Sequence, residues 1–177
     1  MARDIKQDLV TFLRTYIDET SITVSFDSGN PSKPNASGGV RFADYDGENE
    51  YPQIAIASED PSVSGGGGQS RYSGIDAGGR GGIQDVITSV QIDCWGGPNT
   101  AEVYQTEGSH PDMVANELGR EVHRVLFEAD EAAVGPPVPD GYEWVNAEPP
   151  TESNDTNRSP THYRRVVIGL LKHTERP

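Results

Sequence analysis

Three observations predict an α+β fold for this 177-residue chain, with a mostly antiparallel sheet, two helices packed on one face and long inserted loops. Two segments repeat apolar residues at steps of three and four, the period of a helix with one buried face. Several others alternate apolar with polar residues or are rich in β-branched ones, the mark of strands. The 20 Gly and 13 Pro gather in a few stretches that regular structure does not tolerate. No internal repeat is present. The chain reads as a single domain, residues 1–177, with long loops at 27–50, 59–82 and 148–160.

The first helix is expected at about residues 4–18. Ile5, Leu9, Phe12, Leu13, Tyr16 and Ile17 share one face, with Arg3, Lys6, Gln7 and Arg14 largely off it. A short strand is expected at 22–26, where Ile22, Val24 and Phe26 alternate with Thr23 and Ser25. Turn formers then crowd 27–39, and Asp44, Asp46, Glu48 and Glu50 make the following stretch acidic and solvated. A second strand covers 53–58, with Ile54 and Ile56 facing one way. Residues 59–82 contain the run Gly65 to Gly68 and a second cluster at 78–82. A loop this long is functional or disordered.

The strongest strand is 83–95. Val86, Thr88, Val90, Ile92 and Cys94 share a face, and Gln84, Ile87, Ser89, Gln91, Asp93 and Trp95 make the more polar opposite side, with a register shift expected near Val86 and Ile87. The second helix should open at Ser109-His110-Pro111-Asp112, a capping signature with Pro in the first turn, and run to about Ala129. Val114, Leu118, Val122, Val125 and Leu126 form its stripe. The proline-rich segment 135–141 ends it. A short strand is expected at 142–147. The last strand, 163–171, has Val166, Ile168 and Leu170 alternating with Arg165, Val167 and Gly169. Four-step spacing there would also suit a helix, but the β-branched residues favour a strand.

Charge is the loudest compositional signal. Asp+Glu is 28 against Lys+Arg 14, a net charge of -14. Binding nucleic acid through a basic face is therefore disfavoured. Lysine is scarce, with only Lys6, Lys33 and Lys172 against eleven arginines. This balance resembles proteins of salt-loving archaea, although an ordinary acidic cytosolic protein could also carry it. At molar salt the Debye length falls to about 3 Å and self-repulsion is screened. The expected result is a melting temperature that rises from dilute buffer to molar salt; a flat or falling midpoint would remove the halophile reading. Near the C-terminus, residues 127–157 hold eight acids and no Lys or Arg, whereas 158–176 hold five bases and one acid. These blocks could pair within one subunit or register two subunits.

Tests for chemistry fail one by one. No Gly-Lys-Ser or Gly-Lys-Thr follows the glycine runs, and they precede a strand where a phosphate loop leads into a helix. His110, His123, His162 and His173 show no metal-binding helical spacing. Cys94 is the single cysteine, so no internal disulfide is possible, and its place on the apolar face of a strand suits a small buried hydrophobe. A Cys-His nucleophile pair has no local motif. With 28 carboxylates, acid pairs carry no information about glycoside chemistry. The expectation is a protein with no catalytic, cofactor-binding or metal-binding residues. No apolar run approaches the roughly 20 residues of a membrane span, and the first residues lack the apolar stretch of a signal peptide.

The order of elements carries a resemblance. An amphipathic helix leads to a short strand, and Pro52-Gln-Ile-Ala-Ile-Ala57 opens into a long loop. Then come 83–95, ending in Trp95, a helix over 113–127 with Leu118, Val122 and Val125-Leu126, and a late strand. This resembles the tail terminator, or tail completion, proteins of long-tailed double-stranded DNA viruses, over about residues 4–171. The acidic, lysine-poor composition suggests a virus of a haloarchaeon.

The resemblance implies a virion protein in the tail neck, present in the host cytoplasm during assembly. It implies a ring, usually of six subunits, that caps the tail tube, ends its growth and joins tail to head connector. The implied partners are copies of the chain, the tail tube protein and the connector proteins. Genomic DNA would pass through the channel without specific binding, past a wall lined with acids from 42–50 or 127–157. Arg71, Tyr72 and Arg80 are the candidates for contacts from the glycine-rich loop, and Arg164 and Arg165 for facing a protein neighbour. The nearest rival is a head-completion or adaptor protein of the same neck. From other classes come a small cytosolic enzyme using Cys94, and an acidic mimic of DNA.

Overall fold

Asp4 starts the first helix by accepting the Gln7 backbone N–H at 3.0 Å, and α1 then spans Ile5–Tyr16. Its face Ile5, Leu9, Phe12 and Leu13 is buried as the spacing predicts, and Val10 joins it. The computed structural model describes residues 4–24, 26, 39–42, 52–60, 71–73, 83–98, 100, 103–104, 108–129 and 135–175. Among them lie β1 (Val40–Phe42), β2 (Gln53–Asp60), β3 (Arg71–Ser73), β4 (Ile83–Gly97), helix α2 (Pro111–Phe127), β5 (Tyr142–Ala147), β6 (Thr151–Glu152) and β7 (Tyr163–Glu175).

The sheet runs in the order β1-β2-β4-β7-β5. All its pairings are antiparallel except the parallel one between β1 and β2. β2 pairs with 89–95 of β4 and β3 with 83–85. Because β7 takes the other edge of β4, β2 and β3 lie end to end along one edge. β5 and β6 share an edge of β7 in the same way, at 169–173 and 165–166.

Both helices cover one face of this sheet, so the α+β prediction holds. The buried cluster joins Leu9 and Leu13 of α1, Leu118, Val122, Val125 and Leu126 of α2, and Ile54, Ile56, Val90, Ile92, Cys94, Val167 and Leu171 of the strands. Two buried polar contacts lie inside the fold, one joining the helices and one within the sheet. Glu121 of α2 accepts the Asp18 backbone N–H at 2.7 Å just past the end of α1, and binds Arg124 at 2.5 and 2.9 Å. His173 and Thr88 share a hydrogen bond of 3.0 Å inside the β4–β7 ladder.

The structure corrects several expectations. Residues 22–26 contain no described strand: a 3-10 turn, Glu19–Ser21, precedes bends at 22–24. Ile22, Val24 and Phe26 are buried as alternation suggests. The backbone is satisfied differently, because Thr23 gives its N–H and its hydroxyl to the Glu117 carboxylate at 2.8 and 2.6 Å. The cap of α2 is His110, whose Nδ1 accepts the Asp112 N–H at 3.2 Å, one residue after the expected Ser109. No register shift occurs at Val86 and Ile87; the shift against β7 lies between Trp95 and Gly97. β1, β3 and β6 lie inside stretches read as loops, while the glycine runs at 65–68 and 78–82 fall outside the described residues. The last strand is four residues longer than expected, ending at Glu175.

Gly96 controls the passage from β4 toward α2. A Cβ at Gly96 would sit 1.9 Å from the Pro111 carbonyl oxygen, and the Tyr104 hydroxyl donates to the Gly96 carbonyl.

Candidate interaction surface

β4 and β7 place their side chains alternately on the two faces of the sheet. Val90, Ile92, Cys94, Val167 and Leu171 point to the helices and are buried. Gly169 also lies on that side, since a Cβ there would meet Leu126 Cδ1 at 3.4 Å and Ile92 Cδ1 at 3.5 Å. The other face has no helix over it among the described residues. It carries Ile87, Ser89, Gln91, Asp93 and Trp95 from β4, and Arg164, Val166, Ile168, Leu170 and Lys172 from β7, paired across the ladder.

Arg164 organises one end of this face. Its guanidinium lies 4.9 Å from the Trp95 ring centroid, pairs with Asp93 at 3.3 Å and donates to the Ser153 carbonyl and hydroxyl at 2.9 and 2.7 Å. Asp93 also accepts from Gln91 at 2.9 Å. Asp93 and Trp95 are thereby buried on a face that is otherwise only half-covered. At the other end Lys172 pairs with Glu143 at 2.5 Å.

Arg165 points the opposite way. It is buried on the helix side, with Nη2 2.9 Å from Asp112 Oδ1 in the first turn of α2, an ion pair without hydrogen-bond alignment, and 3.7 Å from Glu152. Arg164 and Arg165 were both expected to face a neighbour. As consecutive residues of a strand they sit on opposite faces, and both make contacts inside their own subunit. The opposite-sign blocks near the C-terminus likewise pair within the chain, through Glu143–Lys172, Glu152–Arg165 and Asp155–Arg158.

Arg71 and Tyr72 belong to β3 and stand opposite Asp85 and Gln84. Their side chains, and Arg80 altogether, lie outside the described residues. So do 43–50, one of the two stretches expected to line a channel.

The edge strands β1 and β5 each have an outward backbone group taken by a side chain. Arg14 of α1 donates through Nε and Nη2 to the Val40 carbonyl at 3.0 and 2.7 Å, on the edge strand β1. On β5 the Asn146 side chain takes the Ala147 N–H at 2.8 Å, and Pro149 and Pro150 follow. Capped groups and prolines make poor templates for an added strand.

Cys94 is fully buried, and burial next to Asp93 pushes its thiol far above the usual range. That environment suits a packed hydrophobe and opposes thiolate chemistry. Among the described residues no three His, Cys, Asp or Glu side chains gather to hold a metal ion, and no helix is long and apolar enough to cross a membrane. No protein-family model matches the chain, and no curated protein does.

The sequence shows the alternation of Val166, Ile168 and Leu170, but not which side of the sheet the helices take. That choice is made by α2, whose stripe settles over Val167, Gly169 and Leu171.

Proposed function

We propose that this chain is a structural virion protein of the tail-terminator kind. It forms a ring at the head–tail neck, caps the tail tube, ends its growth and joins the tail to the head connector. The observation that carries this reading is the packed unit made by β4 and α2. A long strand, β4, carries Trp95 near its end and leads toward a helix whose Leu118, Val122, Val125 and Leu126 lie in the same buried cluster as that strand. The resemblance rests on these residues, and they form one structural piece.

In this reading the partners are further copies of the chain, the tail tube protein and the connector proteins, and DNA passes through the ring unbound. The net charge of -14 suits such a passage, because phosphate contacts need cations and the chain has half as many bases as acids. The experiment is negative-stain imaging of the purified protein in molar salt. Rings with an open centre and six-fold symmetry are expected. Only single subunits, at every concentration tried, would overturn the reading.

A further inference from the structure

We infer that His110 makes the start of α2 a contact that acid releases. The inference stands apart from the ring reading and does not depend on it.

An α-helix leaves the N–H groups of its first turn without partners inside the helix. In α2 the first position is Pro111, which has no N–H, and Val114 already bonds the His110 carbonyl at 3.2 Å. That leaves Asp112 and Met113 in the first turn. The side chain that ordinarily meets such a group belongs to Ser, Thr, Asp or Asn. Here it is an imidazole: His110 Nδ1 accepts the Asp112 N–H at 3.2 Å. α1 has the ordinary arrangement, with Asp4 accepting from Gln7.

This choice of residue changes the chemistry. The neutral ring with its proton on Nε2 has a lone pair on Nδ1, and the imidazolium, with an N–H at both nitrogens, has none. Protonation therefore turns the acceptor into a donor aimed at another donor. It also places a positive charge at the positive end of the helix dipole. Histidine is the side chain whose ordinary charge change falls between pH 5 and 8. His110 is exposed, so a proton reaches it without any opening of the fold.

The groups around the ring do not cancel this effect. Among the described residues, β7 contributes Tyr163, whose ring stands edge-on to the imidazole at 5.0 Å. A phenol is uncharged in this range, and its ring can pack against either form of the imidazole. Asp112 is the acid of the first turn, and Arg165 of β7 already holds its Oδ1 at 2.9 Å. Glu152 of β6 lies 3.7 Å from the same guanidinium. From β4 the neighbour of this turn is Gly96, which has no side chain.

The bond sits at a joint. The Pro111 carbonyl, next to His110 in the chain, is what a Cβ at Gly96 would strike, so this turn is where α2 meets the end of β4. Loss of the cap loosens the turn that carries both this close approach and the Asp112–Arg165 pair.

The test is amide exchange in the full-length chain, followed by NMR at about pH 8 and about pH 5.5 and corrected for the intrinsic pH dependence of exchange. The Asp112 N–H should lose protection about fivefold in acid, the size of a lost cap. In His110→Asn the side-chain oxygen accepts at both pH values, so protection should stay within about twofold. No loss in the wild type, or an equal loss in the variant, would overturn the inference. The wild-type ring gives a second reading that needs no variant. Its nitrogen shifts at high pH should show the proton on Nε2. A proton on Nδ1 would overturn the inference, whether or not His110→Asn folds.

Discussion

Gly96→Ala should be strongly destabilising for a change of one methyl group. The new Cβ would fall 1.9 Å from the Pro111 carbonyl oxygen and 2.8 Å from its carbonyl carbon. These are backbone atoms at the first turn of α2, so no rotamer change relieves the contact. The helix start must move, and with it the stripe that packs on the sheet. The cost should reach or exceed about 3 kcal/mol, the upper end for overpacking. Gly108 supplies the control. Its φ is +69°, but nothing lies within 4 Å of a Cβ there. Gly108→Ala should cost only about 1–2 kcal/mol, the penalty of a left-handed residue. Denaturant melts of both variants make the comparison. Equal losses would show that close approach is not what requires glycine at 96.

The second large effect is expected at Leu126→Ala. Leu126 is fully buried, and its Cδ1 lies near the space above Gly169, where Ile92 Cδ1 also reaches. Truncation opens a cavity over a residue with no side chain to move into it. The loss should therefore sit high in the range for such changes, at about 4 kcal/mol. Gly169→Ala adds a methyl toward the same space at ordinary contact distance, 3.4 Å from Leu126 Cδ1. In the Leu126→Ala background that methyl should recover about 1 kcal/mol, and in the wild type it should be close to neutral. A double-mutant cycle reads the difference. Strict additivity would show that the two positions do not share the space.

Periodicity made the long elements readable. α1, α2, β2, β4, β5 and β7 each carry enough residues for a period of two or 3.6 to stand out. β1, β3 and β6 have three, three and two residues. They exist because a longer neighbour offers a ladder, and nothing in Arg71-Tyr72-Ser73 announces that. The segment 22–26 erred in the other direction. Its alternation reports burial correctly, but Glu117, 94 residues away, takes the hydrogen bonds that a partner strand would have supplied. Arg164 and Arg165 mark the limit for the candidate surface. Their charge was visible, and so was the rule that neighbours in a strand point apart. Their partners Asp93, Asp112 and the adjacent pair Glu152 and Ser153 come from three other parts of the chain and became visible only in the fold.

β2 leaves the β4 ladder at Asp60, and β3 rejoins the same edge at Arg71. Alignment is therefore fixed independently on either side of residues 61–70. The intervening length has no say in which residues meet across the ladder. A change of length there would leave the pairing of β4 with β2, β3 and β7 in register. An epitope or affinity peptide inserted between Asp60 and Arg71 would therefore leave the sheet's alignment as it is.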